Sequence, residues 1–369
     1  MDGSGIWDDD ENRGLIRELD MKALIDMCPQ TRGRSCRRFS VGTHTDHDMH
    51  RRASYCEKSI KSNGFPLEGG ENGIGFACKK GLKPVSPNQD SFLVLRVEGQ
   101  MSIYGVFDGH GRQGHDVSNF VKEVLPKLIV QEPCFHRGDL GSALLSAFKK
   151  TQDLLEHETN ESRIDASASG TTCTIVIQKG NELWTASVGD SRCVLVVPSP
   201  TGGAAPHLQA VNLTKDHKPE LPEERERINR NGGIVIKPSG DVNHRVYVKG
   251  YRFPGLAMSR ALGDLIGHHR AGISSIPDIR HEILTGEEWL LLCSDGVWEF
   301  LSSQEAVDLI ANHLRDSLER EAAEVLCKTS WDRWISEEQG AVVDDITAVI
   351  ARLSVWDPSC GGGETSPPI

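Results

Sequence analysis

The sequence predicts an α+β protein in which helices cover the faces of antiparallel sheets. Two features carry that expectation. Strand-like runs come in clusters joined by short turns, and helical runs come in clusters of their own. They do not alternate as strand–helix–strand, the pattern that marks a parallel sheet. No internal repeat is present.

The elements follow in chain order. Residues 1–70 read as an amino-terminal extension. A short helical pattern covers "RGLIRELDMKALIDMC", with Leu15, Ile16, Leu19, Leu24 and Ile25 near helical spacing. A polar, basic and flexible segment then runs into the Gly-rich "EGGENGIG". From residue 71 to 355 the chain is regular and reads as one folded domain. "SFLVLRV" and "MSIYGVF" are a strand pair, and "GHDVSNFVKEVLPKLIV" and "GSALLSAFKKTQDLLEHETN" are helices. "GTTCTIVIQ", "ELWTASVGD" and "RCVLVVP" are strands with short turns between them. Pro222 opens a helix over "LPEERERINRNGG" and glycine closes it. After a loop-rich stretch come the strand "WLLLCSDG", helices over "SSQEAVDLIANHL" and "EREAAEVLCKTSWDRWI", and a last strand, "ITAVIARL". Residues 356–369 read as a disordered tail.

The bulk properties narrow the function. The 369 residues are 38% apolar and 25% charged, with a net charge of −12. That balance argues against nucleic acid as a partner and fits a group of acidic side chains that a divalent cation neutralises. The ten cysteines show no CxxC pair or zinc spacing. No apolar run is long enough to span a membrane. The acidic start lacks a secretory signal, and Asp2 stands where myristoylation requires glycine. The expectation is a monomer with reduced thiols in the cytoplasm or nucleus.

Carboxylates recur at strand ends: Asp90 in "NQD", Asp108 in "VFDGHGRQG", Asp295 and Glu299 in "LLLCSDGVWE", and Asp344 and Asp345 in "VDDIT". One such aspartate is an ordinary turn residue. Several on strands of a shared sheet converge at one edge, where they repel one another unless a cation lies between them. Oxygen-rich sites of this kind suit Mg²⁺ or Mn²⁺.

"VFDGHG", "ASGTTCTIVI", "WTASVGDSR", "TKDHKP", "LAMSRALGD", "LLLCSDGVWEFLS" and "DDITAVI" stand in the order found in the metal-dependent protein serine/threonine phosphatases of type 2C. The sequence resembles that family from about Gly73 to Leu353, and the "NQD" spelling is similar to a plant and protist subgroup. The resemblance implies an αββα sandwich: two antiparallel sheets face to face, helices outside, and a cleft at one edge holding two Mn²⁺ or Mg²⁺ ions. It makes Asp108 the carboxylate bridging both metals and gives the second metal the Gly109 carbonyl. Asp295 and Asp344 hold the first metal, and Asp90 orients waters from close by. His110 matches the general acid that protonates the leaving serine or threonine oxygen of a phosphoprotein. Paired dications lower the pKa of a shared water, and an imidazole titrating near neutrality suits the acid's task.

Further correspondences are looser. Asp165 and Glu299 match positions around a third metal. Asp264 and Asp190 match recurrent aspartates, read here as structural. Gln89 stands where many members have a glutamate, which leaves it a weak ligand. Val85 stands where many have an arginine for the substrate phosphate, and Lys83 is the nearby substitute, without the bidentate fork. His115, His217, His244, His268 and His269 read as loop or surface residues. "RRFS" and "RRAS" resemble sites of basophilic kinases, making Ser40 and Ser54 candidates for regulatory phosphorylation. Gln89 and Val85 also motivate a second expectation, a pseudophosphatase that binds a partner without turnover.

Overall fold

The computed structural model describes residues 38–44, 54–64, 73–83, 86–199, 207–286 and 288–356. The helix expected near the amino terminus, Val85 and the tail from 357 lie outside these residues.

Two antiparallel sheets form the centre. The larger runs β16 (Asp278–Ile283), β9 (Glu182–Val188), β8 (Cys173–Lys179), β5 (Met101–Phe107), β4 (Ser91–Val97), β1 (Arg38–Thr43) and β2 (Ile60–Gly64). The smaller runs β11 (Leu208–Asn212), β10 (Arg192–Pro198), β17 (Trp289–Cys293), β18 (Ile346–Arg352) and β3 (Ile74–Lys79). Side chains alternate faces along a strand, and here both faces are covered. Phe92, Val94, Tyr104 and Val106 of the larger sheet meet Cys193, Leu195, Leu290, Leu292 and Val349 of the smaller in one buried core. Their neighbours Leu93, Leu95, Ile103 and Phe107 point the other way, under α1 (Gly114–Gln131), α2 (Pro133–His136) and α3 (Leu140–Asn160).

On the far side, Val194, Leu291, Ala348 and Ile350 pack beneath α7 (Ser303–Arg315) and α8 (Glu319–Glu337). The layers are therefore helix, sheet, sheet, helix. Ser302 and Glu305 form a reciprocal cap that starts α7. Among the described residues, three shorter helices accompany these: α4 (Pro222–Arg230), α5 (Leu265–Ala271) and α6 (Asp295–Trp298).

Two small sheets stand apart from the sandwich. β12 (Gly233–Ile236), β13 (Arg245–Val248) and β14 (Pro254–Leu256) fold the loop-rich stretch. The other joins three distant motifs through two-residue strands: β6 (Gly109–His110), β7 (Gly170–Thr171) and β15 (Leu262–Gly263).

The amino-terminal boundary differs from the expectation. Strands β1 and β2 lie inside the segment read as a flexible extension, and β1 pairs with β4 on one side and β2 on the other. Short alternating runs such as "RFSVGT" are weak signals within a basic segment, and their pairing partners lie far along the chain. Ser40 is consequently fully buried, opposite Leu95 and Asn63. That removes it as a kinase site in the folded protein. Ser54 is exposed at a turn.

Candidate active site

The strand ends converge at one rim. Ser91 pairs with Phe107, so Asp90 enters β4 beside the exit of β5 into Asp108. Cys293 pairs with Ala348, which sets Asp295 near the entry to β18 that follows Asp344 and Asp345. Hydrogen bonds join the two sheets here. The Ser294 hydroxyl donates to Asp90 Oδ2 at 2.7 Å and accepts from the Thr347 amide at 3.0 Å. Asp345 is spent on structure: its carboxylate accepts from the Gly81 and Gln89 amides, both at 2.8 Å. Asp108 is fixed through its backbone, its amide donating to Thr172 Oγ1 at 3.0 Å and its carbonyl accepting from the Thr172 amide at 2.9 Å.

The electrostatics record the crowding. Burial, then Asp90, Asp295 and Asp344, push the Asp108 carboxyl well above the ordinary range, and Lys83 offsets part of this. Burial, then Asp344 and Asp190, do the same to Asp295, which is also in hydrogen-bonding contact with Asp108. Asp90 rises to about 7, through burial first and then Asp345. Lys83 is ion-paired with Asp344. Lys218 donates to Asp190 Oδ2 at 2.6 Å. Glu299 lies in the same field, raised by burial, with Lys218 opposing and Asp190 and Asp344 adding.

Do these residues fit a divalent cation? Among the described residues, no three acidic, histidine or cysteine side chains already close around one point as a finished cage. The donor set nevertheless suits a hard ion. It consists of oxygens, and Asp90 Oδ1 and Asp295 Oδ1 are buried without a hydrogen-bond partner. Gly109 leaves no room for a side chain, since a Cβ there would stand 2.3 Å from the Gly114 carbonyl oxygen. Its carbonyl is thus the kind of ligand a bulkier residue could not present.

The remaining candidates are distributed as follows. His110 lies on β6 with Nε2 2.6 Å from Asp264 Oδ2. Burial pulls its pKa down, but Asp264 and then Asp190 and Asp295 hold it above the ordinary value. The Gln89 side-chain amide donates to the Gly111 carbonyl at 2.7 Å, so it braces the turn that carries His110. Asp165 is exposed on the loop before β7, where Oδ1 accepts from the Ser167 amide at 3.0 Å.

Sequence reasoning missed Lys218 near the site, and read Asp190 and Asp264 only as structural. Their one signal was position, inside the "VGDSR", "TKDHKP" and "ALGD" runs. His217 is another difference: it is buried, with Nε2 3.2 Å from Asp278.

Fold and donor set together describe a layered sandwich with a carboxylate-rich candidate site at one rim. The sequence profile of the family "Protein phosphatase 2C" matches residues 85–335, and the chain belongs to that family. It is a phosphoprotein phosphatase of a metal-dependent, plant-like kind. Among its relatives is "Probable protein phosphatase 2C 48" of Oryza sativa subsp. japonica, 35% identical over 306 residues, 76% of this chain and 84% of that one. Another is "Probable protein phosphatase 2C 34" of Arabidopsis thaliana, 33% identical over 331 residues, 84% of this chain and 89% of that one. The fold resembles serine-threonine phosphatase 2C from Toxoplasma gondii, with a TM-score of 0.65 at 23% identity over 75% of this chain and 93% of that chain. No described helix is long and apolar enough to cross a membrane.

Proposed function

We propose that the chain hydrolyses phosphoserine and phosphothreonine esters in proteins at the rim where Asp90, Asp108, Asp295 and Asp344 meet. The observation that carries this reading is that convergence, with His110 beside it. Asp108, Asp295 and Asp344, with the Gly109 carbonyl, would hold the Mn²⁺ or Mg²⁺ ions. Asp90 would accept hydrogen bonds from waters in the site. Bound, the ions supply charge neutralisation and an activated water. Gln89 keeps the turn in place rather than adding a charge. Glu299, next to Asp190 and Lys218, would support a third ion, with Asp165 contributing from its loop.

His110 donates the proton that the leaving oxygen needs. Lys83, ion-paired with Asp344, would meet a phosphoryl oxygen of the substrate. The loop-rich stretch that forms β12–β14 selects the protein substrate. Ser54 remains the site for a basophilic kinase, and the chain acts as a monomer.

The test is hydrolysis of a phosphoseryl peptide and of p-nitrophenyl phosphate with Mn²⁺ and with a chelator. Chelation and Asp108→Asn should each abolish turnover of both. His110→Ala should cost far more on the peptide than on the aryl ester, whose leaving group requires less protonation. Turnover that survives chelation refutes the metal reading, and equal losses for His110→Ala refute the acid role. Absence of turnover at every metal level favours a non-catalytic binding protein.

A further inference from the structure

Asp264 uses its carboxylate in an unusual way. It stands at the cap position before α5 with a left-handed backbone, φ 48°, yet its side chain makes no capping bond to that helix. A non-glycine residue held in that region marks a constrained position. Oδ2 is instead 2.6 Å from His110 Nε2, and the Asp264 side chain is 1% exposed. The surroundings fix both partners. Gly263 is clamped by Gln152 of α3, which donates to its carbonyl at 3.0 Å and accepts from its amide at 2.9 Å. The Asp264 amide donates to the Ser169 carbonyl at 2.9 Å. At Gly170 a Cβ would stand 2.3 Å from Asp264 Oδ2 and 2.8 Å from His110 Nε2. The small β6–β7–β15 sheet therefore brings acid and carboxylate together over a glycine with no space to spare.

The consequence concerns which ring nitrogen is free. Nε2 is committed to Asp264, while Nδ1 is buried and makes no hydrogen bond among the described residues. We infer that Asp264 is a positioning residue that accepts the Nε2 proton of His110 as a hydrogen bond, fixes the ring, and leaves Nδ1 as the nitrogen free to serve the leaving oxygen. This rests on the acid role proposed above. In that step the ester P–O bond breaks and phosphorus takes the oxygen of a water, which sheds one proton to solvent. The seryl or threonyl oxygen takes the proton from Nδ1. The imidazole left behind keeps its Nε2 proton in the bond to Asp264, and solvent restores the Nδ1 proton.

Asp264→Asn tests it, because asparagine keeps the volume and tolerates the left-handed backbone. With Mn²⁺ present, kcat on the phosphoseryl peptide should fall on the order of tenfold to a hundredfold, within the range general-acid catalysis contributes. The loss on p-nitrophenyl phosphate should be clearly smaller and KM unchanged. The double variant His110→Ala/Asp264→Asn should be no slower than His110→Ala alone. Equal losses on the two esters, or additive losses in the double variant, overturn the inference. If His110→Ala itself shows no ester preference, the acid role falls; if His110→Ala shows it and Asp264→Asn does not, only this inference falls. A measurement on the unaltered, Mg²⁺-loaded protein guards against misfolding of the variant. ¹⁵N-histidine spectra at alkaline pH, with His110 assigned by its absence in His110→Ala, should place the neutral ring's proton on Nε2. A proton on Nδ1 refutes the arrangement.

Discussion

Asp108→Asn should make the metal-free protein more stable while removing the response to metal. The substitution deletes one charge from a buried group of like charges and keeps the volume. Asp108 feels burial, Asp90, Asp295 and Asp344, with Lys83 opposing. Two unit charges about 4 Å apart interact by about 4 kcal/mol at an effective dielectric of about 20. Lys83 cancels roughly one such repulsion, and relaxation takes more, which leaves a net gain of about 1–3 kcal/mol. For a domain of this size that is roughly 1.5 to 5 °C in melting temperature.

The sign follows from linkage. A carboxyl raised on folding costs nothing below the unfolded value near 3.8 and costs progressively more as pH rises through its folded value. The gain should therefore be present at neutral pH and shrink as pH falls toward 4. With Mn²⁺ at about 100 times its dissociation constant, the unaltered protein gains about 2.7 kcal/mol and the variant little. Scanning calorimetry in EDTA and in Mn²⁺ reads both effects. A variant that melts lower than the unaltered protein in EDTA, or an equal Mn²⁺ response in the two, would refute the reasoning.

Lys83→Met frees Asp344 from its ion pair. A partly exposed pair is worth up to about 1 kcal/mol, so Mn²⁺ affinity by titration calorimetry should tighten up to about fivefold; unchanged or weaker binding contradicts the competition. Gly170→Ala forces Asp264 and His110 apart and should cost about 1–3 kcal/mol in urea unfolding, with a larger loss of turnover on the phosphopeptide than on the aryl ester. Wild-type behaviour in both assays would mean that the glycine is not needed for closeness. Glu224 is pushed up by burial but carried down to about 2 by hydrogen bonds from Arg260, Arg227 and Ser259. Its stabilisation is complete above pH 4.5 and is lost as pH falls toward 2. Glu224→Gln should cost about 3 kcal/mol at pH 7 and much less near pH 2, measured by denaturant titration at both.

The parts of this molecule that were legible in the sequence are those whose signal is local. Asp90, Asp108, Asp295 and Asp344 each sit at the edge of an apolar strand, so their place at a rim follows from the strands themselves. The helices α1 and α3 that cover one sheet face announce themselves by period. What stayed hidden depends on pairing across the chain. His110 and Asp264 are 154 positions apart, and the two-residue strands that join them are too short to carry a pattern. Lys218 and Asp190 meet only because β9 and the loop before α4 lie side by side. Gln89 looked like a weakened ligand because its type was compared with a carboxylate; its amide can donate to Gly111, which a carboxylate cannot do. β1 was masked by the basic residues around it.

The amino-terminal strap has a practical bearing on where this protein can be shortened. Lys58 is buried, with its ammonium on the Asp90 carbonyl and 3.3 Å from Ser91 Oγ, and Glu57 bridges to Lys79. A version trimmed to the run of recognisable motifs, starting near Gly73, would lose this strut from beneath Asp90 at the candidate rim. It would also strip β4 of its neighbour and leave a naked row of amides and carbonyls, a template for sticking to other copies. Insolubility of such a fragment would therefore report a missing wall, and would say nothing about whether the enzyme is competent.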